Sequence, residues 1–270
     1  MFEENDSLNV LKEITPEIYQ DVGQPVAKPT GELLGLVPRA IKAALEPIEK
    51  WIMQKEYNIA ETKKLLELKL EKVSPELIEA PEPYIAVPAV QYISYCMDNE
   101  ELRNMYANLL ANSMNKVVKD GVHPGFVEII KQLSPDEAKF LKYMGEYKRI
   151  PIITLNLMTD NNGKIPHVKD FSNVPEIVKC ESLYDSEKYV DNLVRLGLMR
   201  RSTLSTLTDK TLYEPLKNHP YIIAKQKEAE LIIEMTKGIT SPFTKTGIDE
   251  GYVDLTAFGE TFYEICIKNP

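Results

Sequence analysis

The chain has 270 residues, 43% of them hydrophobic and 27% charged, which is ordinary for a soluble protein of one large domain or two smaller ones. Its 32 basic and 41 acidic side chains leave a net charge of −9, which excludes a broadly basic nucleic-acid binder. Cys96, Cys180 and Cys266 are too few and too scattered for a disulfide framework or a Cys-rich zinc module. No stretch approaches the roughly 18 apolar residues of a membrane span. The opening MFEENDSLNV is acidic and unlike a secretory signal. Together these features predict a cytoplasmic protein.

Residues 1–30 carry six acidic and two basic groups, several prolines and no sustained apolar period, so they are predicted to form a flexible acidic leader. From Gly31 the spacing turns helical. Leu33, Val37, Ile41, Leu45, Ile48 and Trp51 recur at three- and four-residue intervals, interrupted by Pro38 and Pro47. A second helix is expected from about Pro47 to Val73. Its Leu45, Ile52, Ile59, Leu66 and Val73 fall seven apart, but the companion row of Ile48, Lys55, Thr62 and Lys69 is too polar for a good coiled-coil seam. Intramolecular packing is therefore favoured over an oligomer. The Pro-rich segment 74–83 is a connector, and a short helix follows near 87–97.

Asp98 and Glu101 have capping-box spacing and predict a helix from Asn99 to about Val118, closed by Asp120-Gly121. Pro124 opens another helix reaching Gln132. Ser134, Pro135 and Glu137 mark the start of a helix over 136–147. Then IPIITLNLM reads as a strand, Asn162-Gly163 as a hairpin turn, and 165–169 as the return strand. Helices are expected at 175–180, 186–196 and after Pro220. LMRRSTL reads as extended, and GYVDLTAFGETFYEICI as a short strand followed by an apolar helix. The predicted architecture is mainly helical α+β, with a helical region over 31–133 and a second region over 134–270. From Ser134 the order is helix, strand, helix, helix, strand, insertion, strand, helix. That is the plan of a winged helix with an added β-hairpin and a helical insertion.

The stretch 102–144 contains Leu102-Arg103, the block Tyr106-Ala107-Asn108-Leu109-Leu110-Ala111, His123-Pro124 with Phe126, Ile129-Ile130 with Leu133, and Ser134-Pro135 with Glu137-Ala138. These residues resemble the core of the Abi-alpha (abortive infection alpha) family of bacterial proteins. PAVQYISYCMDNEELR upstream and LTAFGETFYEIC near the end also resemble it, so the resemblance covers most of residues 31–270 and leaves out the leader. It implies a role in bacterial defence against phage, through death or dormancy of the infected cell. It carries no catalytic residues.

Three surfaces are candidates for function. In the 99–118 helix, Asn104, Asn108, Asn112 and Asn115 form a polar row beside an apolar arc. Four amides in one row need partners if they are buried. With Arg103 and His123 they are the candidates for contact with a protein partner, weighed against hydrogen bonding inside the fold. Lys188, Arg195, Arg200 and Arg201 are the nucleic-acid candidates, but residues 135–270 hold 18 basic and 20 acidic groups, so nucleic acid is disfavoured. Leu33, Val37, Ile41 and Trp51, with basic residues beside them, form an amphipathic stripe of the kind that lies on membranes. This keeps peripheral membrane association open.

No histidine pair has metal-ligand spacing, no phosphate loop is present, and Asp160-Asn161-Asn162-Gly163 fits a hairpin better than a calcium loop. No cofactor or metal is expected. The favoured reading is a non-enzymatic cytoplasmic defence protein acting through protein contacts. A membrane-perturbing effector and a winged-helix nucleic-acid-binding regulator remain as alternatives, and self-association stays open.

Overall fold

The computed structural model describes residues 56–236 and 242–268. The leader, the heptad positions up to Ile52 and the stripe of Leu33, Val37, Ile41 and Trp51 lie outside the described residues. The chain divides into two compact units, one of residues through Pro135 together with those from Thr261 onward, the other Asp136–Glu260. Among the described residues no helix is long and apolar enough to cross a membrane.

The first unit is helical. Helix α1 (Glu56–Leu70) buries Thr62, Leu66 and Leu70 at four-residue spacing and packs on α3. So Leu66 serves the intramolecular core, and Val73 lies beyond the helix end. Helix α2 (Pro83–Ile93) starts earlier than expected because Pro83, at its first position, is already suited to helical geometry. Pro88 then sits inside the helix, at the loss of one main-chain hydrogen bond.

Helix α3 (Glu100–Ser113) is the centre of this unit, with every residue from Met105 to Ser113 buried. Its N-cap is Asn99, not Asp98. Asn99 is in the extended region and its Oδ1 accepts the N–H of Leu102 at 3.0 Å. The helix also stops five residues before Val118. After Ser113 the backbone turns to a different partner: Glu79 N–H donates to Met114 O, Lys116 N–H donates to Leu77 O, and Asn115 bridges Ile78. Helix α4 (Gly125–Lys131) follows, and Pro124 is its cap residue instead of its first turn, a shift within the usual scatter of helix ends.

The second unit is α+β. Helix α5 (Pro135–Tyr147) begins directly after Ser134. Strands β1 (Arg149–Thr159) and β2 (Lys164–Phe171) form a hairpin. Its turn is a four-residue loop in which Asn162, at φ 60°, takes the left-handed position. Then come α6 (Val174–Ile177), α7 (Ser186–Arg195) and β3 (Met199–Ser202). Helices α8 (Glu214–Lys217) and α9 (Pro220–Thr236) precede β4 (Phe243–Leu255), and α10 (Ala257–Phe262) follows it.

The sheet is antiparallel throughout, in the order β2-β1-β4-β3. Strand β4 is much longer than the expected GYVDL. Its N-terminal half, FTKTGIDE, is polar, yet it pairs with β1 along nearly its whole length. On one face of the sheet, Ile153 and Phe171 pack with Tyr213, Leu216 and Ile222, joined by Ile248, while Leu157 packs with Ala229 and Ile233. Gly259 of α10 admits no side chain, since a Cβ there would stand 1.9 Å from the Leu198 carbonyl oxygen.

Candidate functional site

Because side chains alternate across a strand, the residues between Ile153, Leu155 and Leu157 turn to the opposite face of β1. Ile152, Thr154 and Asn156 there line a groove of about 380 Å³ with Pro166, Lys164, Lys169 and Asp170 of β2, Arg201, Thr203 and Leu204, and Asp249–Gly251 of β4. This volume lies at the small end of ligand-sized cavities.

Asp170 is the residue around which the groove is built. It is 1% exposed and holds φ 50°, a region that Asp enters only occasionally. Its backbone is gripped on both sides. Its N–H donates to Thr154 Oγ1 at 3.2 Å, and its carbonyl accepts from Ser186 Oγ at 3.0 Å. The carboxylate lies 2.8 Å from Arg201 Nη1 and 3.8 Å from Lys169 Nζ. This is an ion contact without hydrogen-bond alignment, for Asp170 Oδ2 and Arg201 Nε are both buried with no hydrogen bond. Burial pushes the Asp170 carboxyl above its usual range, and the Arg201 and Lys169 charges only partly offset it.

The charges around Asp170 are closed into a network. Arg201 Nη2 donates to Asp191. Lys169 reaches Glu187 and Asp191, each at 3.2 Å. Lys164 pairs with Asp249, which also accepts from Asn156 Nδ2 at 3.0 Å. Glu250 pairs with Lys210 and Lys217, and they hold its carboxyl below the usual range.

The nucleic-acid candidates are likewise matched. Arg200 pairs with Asp254 at 2.9 Å, Arg195 donates to Asn192 Oδ1 at 2.6 Å, and Lys188 lies 3.7 Å from Asp185. Of these four residues only Arg201 enters the groove.

The asparagine row divides. Asn108 Nδ2 donates to the carbonyls of Cys266 and Ile267 at 3.0 and 3.1 Å, and Asn112 Nδ2 to that of Ile265 at 2.8 Å. These carbonyls belong to a five-residue π-helix, Tyr263–Ile267. The carbonyls at a helix end lack intrahelical donors, and two buried amides supply them. Asn104 is half-buried, and Asn115 Oδ1 accepts from Val117 N–H. Arg103 donates to the Met97 carbonyl at 2.6 Å. His123 is exposed and its Nδ1 accepts from Gly125 N–H at 3.0 Å.

The three thiols and His219 are held within the fold. Burial pushes Cys96 up to about 11, Cys180 up to about 12, and Cys266 well above the ordinary thiol value, so these thiols stay protonated. His219 Nε2 lies 3.0 Å from Glu176 Oε2 while its Nδ1 accepts from Tyr221 N–H, so both ring nitrogens are in use. Among the described residues no group of three His, Cys, Asp or Glu side chains is placed to hold a metal ion. The sequence reading missed Thr154, Asn156, Lys169, Asp170 and Asp249. The available signal was the alternation of polar residues on one face of IPIITLNLM, which marks a strand with a wet side.

A family model described as abortive infection alpha matches residues 54–266. A solved structure described as an uncharacterised protein from the hydrocarbon-degrading marine bacterium Alcanivorax borkumensis SK2 is similar at 16% identity with a TM-score of 0.36. The similarity covers 53% of this chain and 92% of that one. No curated protein matches.

Proposed function

Because the chain belongs to the Abi-alpha (abortive infection alpha) family, we propose that it is an abortive-infection-type phage-defence protein that works in the cytoplasm by contacting a protein partner, without catalysis. The observation that carries the contact reading is the groove on the sheet of residues 136–260. It is open, it sets charged side chains beside apolar ones such as Ile152, Pro166 and Leu204, and its cations are matched to carboxylates. Such a surface suits a partner presenting both charge signs, and it lacks the basic excess that phosphate neutralisation requires. The depth of burial of the thiols and the occupied His219 ring support the non-catalytic half of the proposal. The order α5, β1, α6, α7, β3, β4, with β4 between β1 and β3, supports reading this region as a winged helix used as a contact scaffold, with β2 added at the edge.

The test is phage challenge of cells expressing the chain, scored by plaque formation and by survival of infected cells. Arg201→Glu is compared with wild type after circular dichroism shows that it folds. Protection by the wild type that disappears in a folded Arg201→Glu variant supports the groove as the contact surface. Undiminished protection by that folded variant overturns the assignment to the groove, and a wild type that never protects overturns the defence reading.

A further inference from the structure

The sheet has two formal edges, β2 and β3, and a third that its order conceals. Strand β4 runs from Phe243 to Leu255, but β3 covers it only over Tyr252–Leu255. Along residues 245–250 the backbone pairs with β1 on one side and, among the described residues, with nothing on the other. Open strand edges are templates for pairing, and proteins blunt them with proline, bulges or extra charge. Strand β2 is blunted in this way, by Pro166, Lys164, Lys169 and two register shifts against β1. The 244–250 stretch has no proline, and its one irregularity against β1 is the register shift at Thr244, its first residue; from Lys245 onward the register is regular.

The sequence of this edge is complementary to itself. Placed antiparallel to a copy of itself about Gly247, it sets Lys245 opposite Asp249 and Thr246 opposite Ile248, and the same pairs recur on the other side of the axis. Lys245 and Asp249 share the groove face, because they are an even number of residues apart. Lys245 is exposed and has no ion pair among the described residues. Directly opposed unlike charges stabilise an antiparallel pair, and like charges oppose it. A two-fold arrangement uses the same patch on both copies and closes at two. We propose that residues 244–250 pair with the same edge of a second copy of this chain, antiparallel about Gly247, so that the two sheets continue into one. This goes beyond the defence reading and rests on β4 alone.

The experiment is sedimentation of the full chain over a dilution series, with the Lys245→Asp and Asp249→Lys variants measured singly and mixed. The wild type is expected to dimerise. Lys245→Asp places acid against acid at both ends of the pairing and should raise the dimer Kd by about tenfold or more. Asp249→Lys should do the same with base against base. An equimolar mixture of the two restores both unlike pairs and should form a heterodimer. Circular dichroism checks that each variant folds, and the mixture supplies a second control, since misfolded chains would not recover association. A monomeric wild type overturns the proposal, as does a dimer whose Kd is unmoved by Lys245→Asp.

Discussion

Two buried aspartates in the second unit have the same side chain and opposite electrostatics. Asp136, at the start of α5, is 8% exposed and receives hydrogen bonds from Glu181 N–H at 2.9 Å, Ser182 N–H at 3.3 Å, the Tyr189 hydroxyl at 3.0 Å and Lys139 Nζ at 3.3 Å. Burial opposes its charge, but these donors outweigh burial and hold the carboxyl below its usual range. Asp170, at the end of β2, is buried more deeply and faces two cations, yet its Oδ2 receives no hydrogen bond and its carboxyl is raised. Four aligned donors stabilise a buried carboxylate where nearby but misaligned charge does not. A group with all its partners in place ties structure together. A group short of partners, in a groove and at a rarely used backbone angle, is where function is sought.

The sharpest way to break this comparison is Asp136→Ala, which strands the Glu181 and Ser182 N–H groups and leaves the Tyr189 hydroxyl and Lys139 with only the Ser182 and Lys179 carbonyls. It should lower unfolding free energy by about 3 kcal/mol, seen as a fall in the urea midpoint with little change in slope. A loss below about 1 kcal/mol would mean that the donors rehydrate freely and that the contrast with Asp170 is not energetic.

Acid titration of stability separates the two groups by sign. Asp136, with a lowered folded pKa, contributes stability above the unfolded aspartate value near 3.8, lost as pH falls through its folded pKa. Asp170, with a raised folded pKa, does the reverse. The folded state binds its proton more readily, so stability falls as pH rises from about 3.8 through the raised value. Asp136→Asn should flatten the acid limb below that point. Asp170→Asn should remove a decline above it. Parallel curves for the two variants would contradict the assignment.

A smaller effect is expected from Asp170→Asn at neutral pH, about 1 kcal/mol. Asn tolerates the left-handed backbone, and Arg201 keeps Asp191. A loss equal to that of Asp136→Ala would show that the groove carboxylate is structural after all. The smallest is Lys139→Met, within about 1 kcal/mol, because Asp136 retains three other donors. Asp136→Ala, Asp170→Asn and Lys139→Met are checked by the same urea curves.

What could be read from the sequence followed the range of the signal. The Ser134-Pro135 start of α5, the hairpin around Asn162 and the helices 186–195 and 220–236 rest on local chemistry, and they were read to within a few residues. The asparagine row was visible as a row, but its partners are carbonyls near residue 266, and no local period points that far. Asp136 is a similar case, since three of its four donors lie at 181–189. Strand β4 runs further than GYVDL suggests because Lys245 is exposed, Asp249 lines the groove and Glu250 pairs with Lys210 and Lys217, which keeps FTKTGIDE polar. The groove needed β1, β2 and β4 to be brought side by side, which is tertiary information. Arg201 was singled out only for its charge, and its partner Asp170 was not recognised.

The amide clamp on the Tyr263–Ile267 π-helix also has a consequence for biosynthesis. Asp136–Glu260 is a continuous stretch, so its compact unit can be assembled from residues made in one run. The helical unit cannot, although most of it is made first. Asn108 and Asn112 wait, with α3 already synthesised, for carbonyls more than 150 residues downstream. The earliest-made unit is therefore the last to be finished, and the newborn chain carries an open α3 for most of its translation, a surface that a chaperone would be expected to meet first.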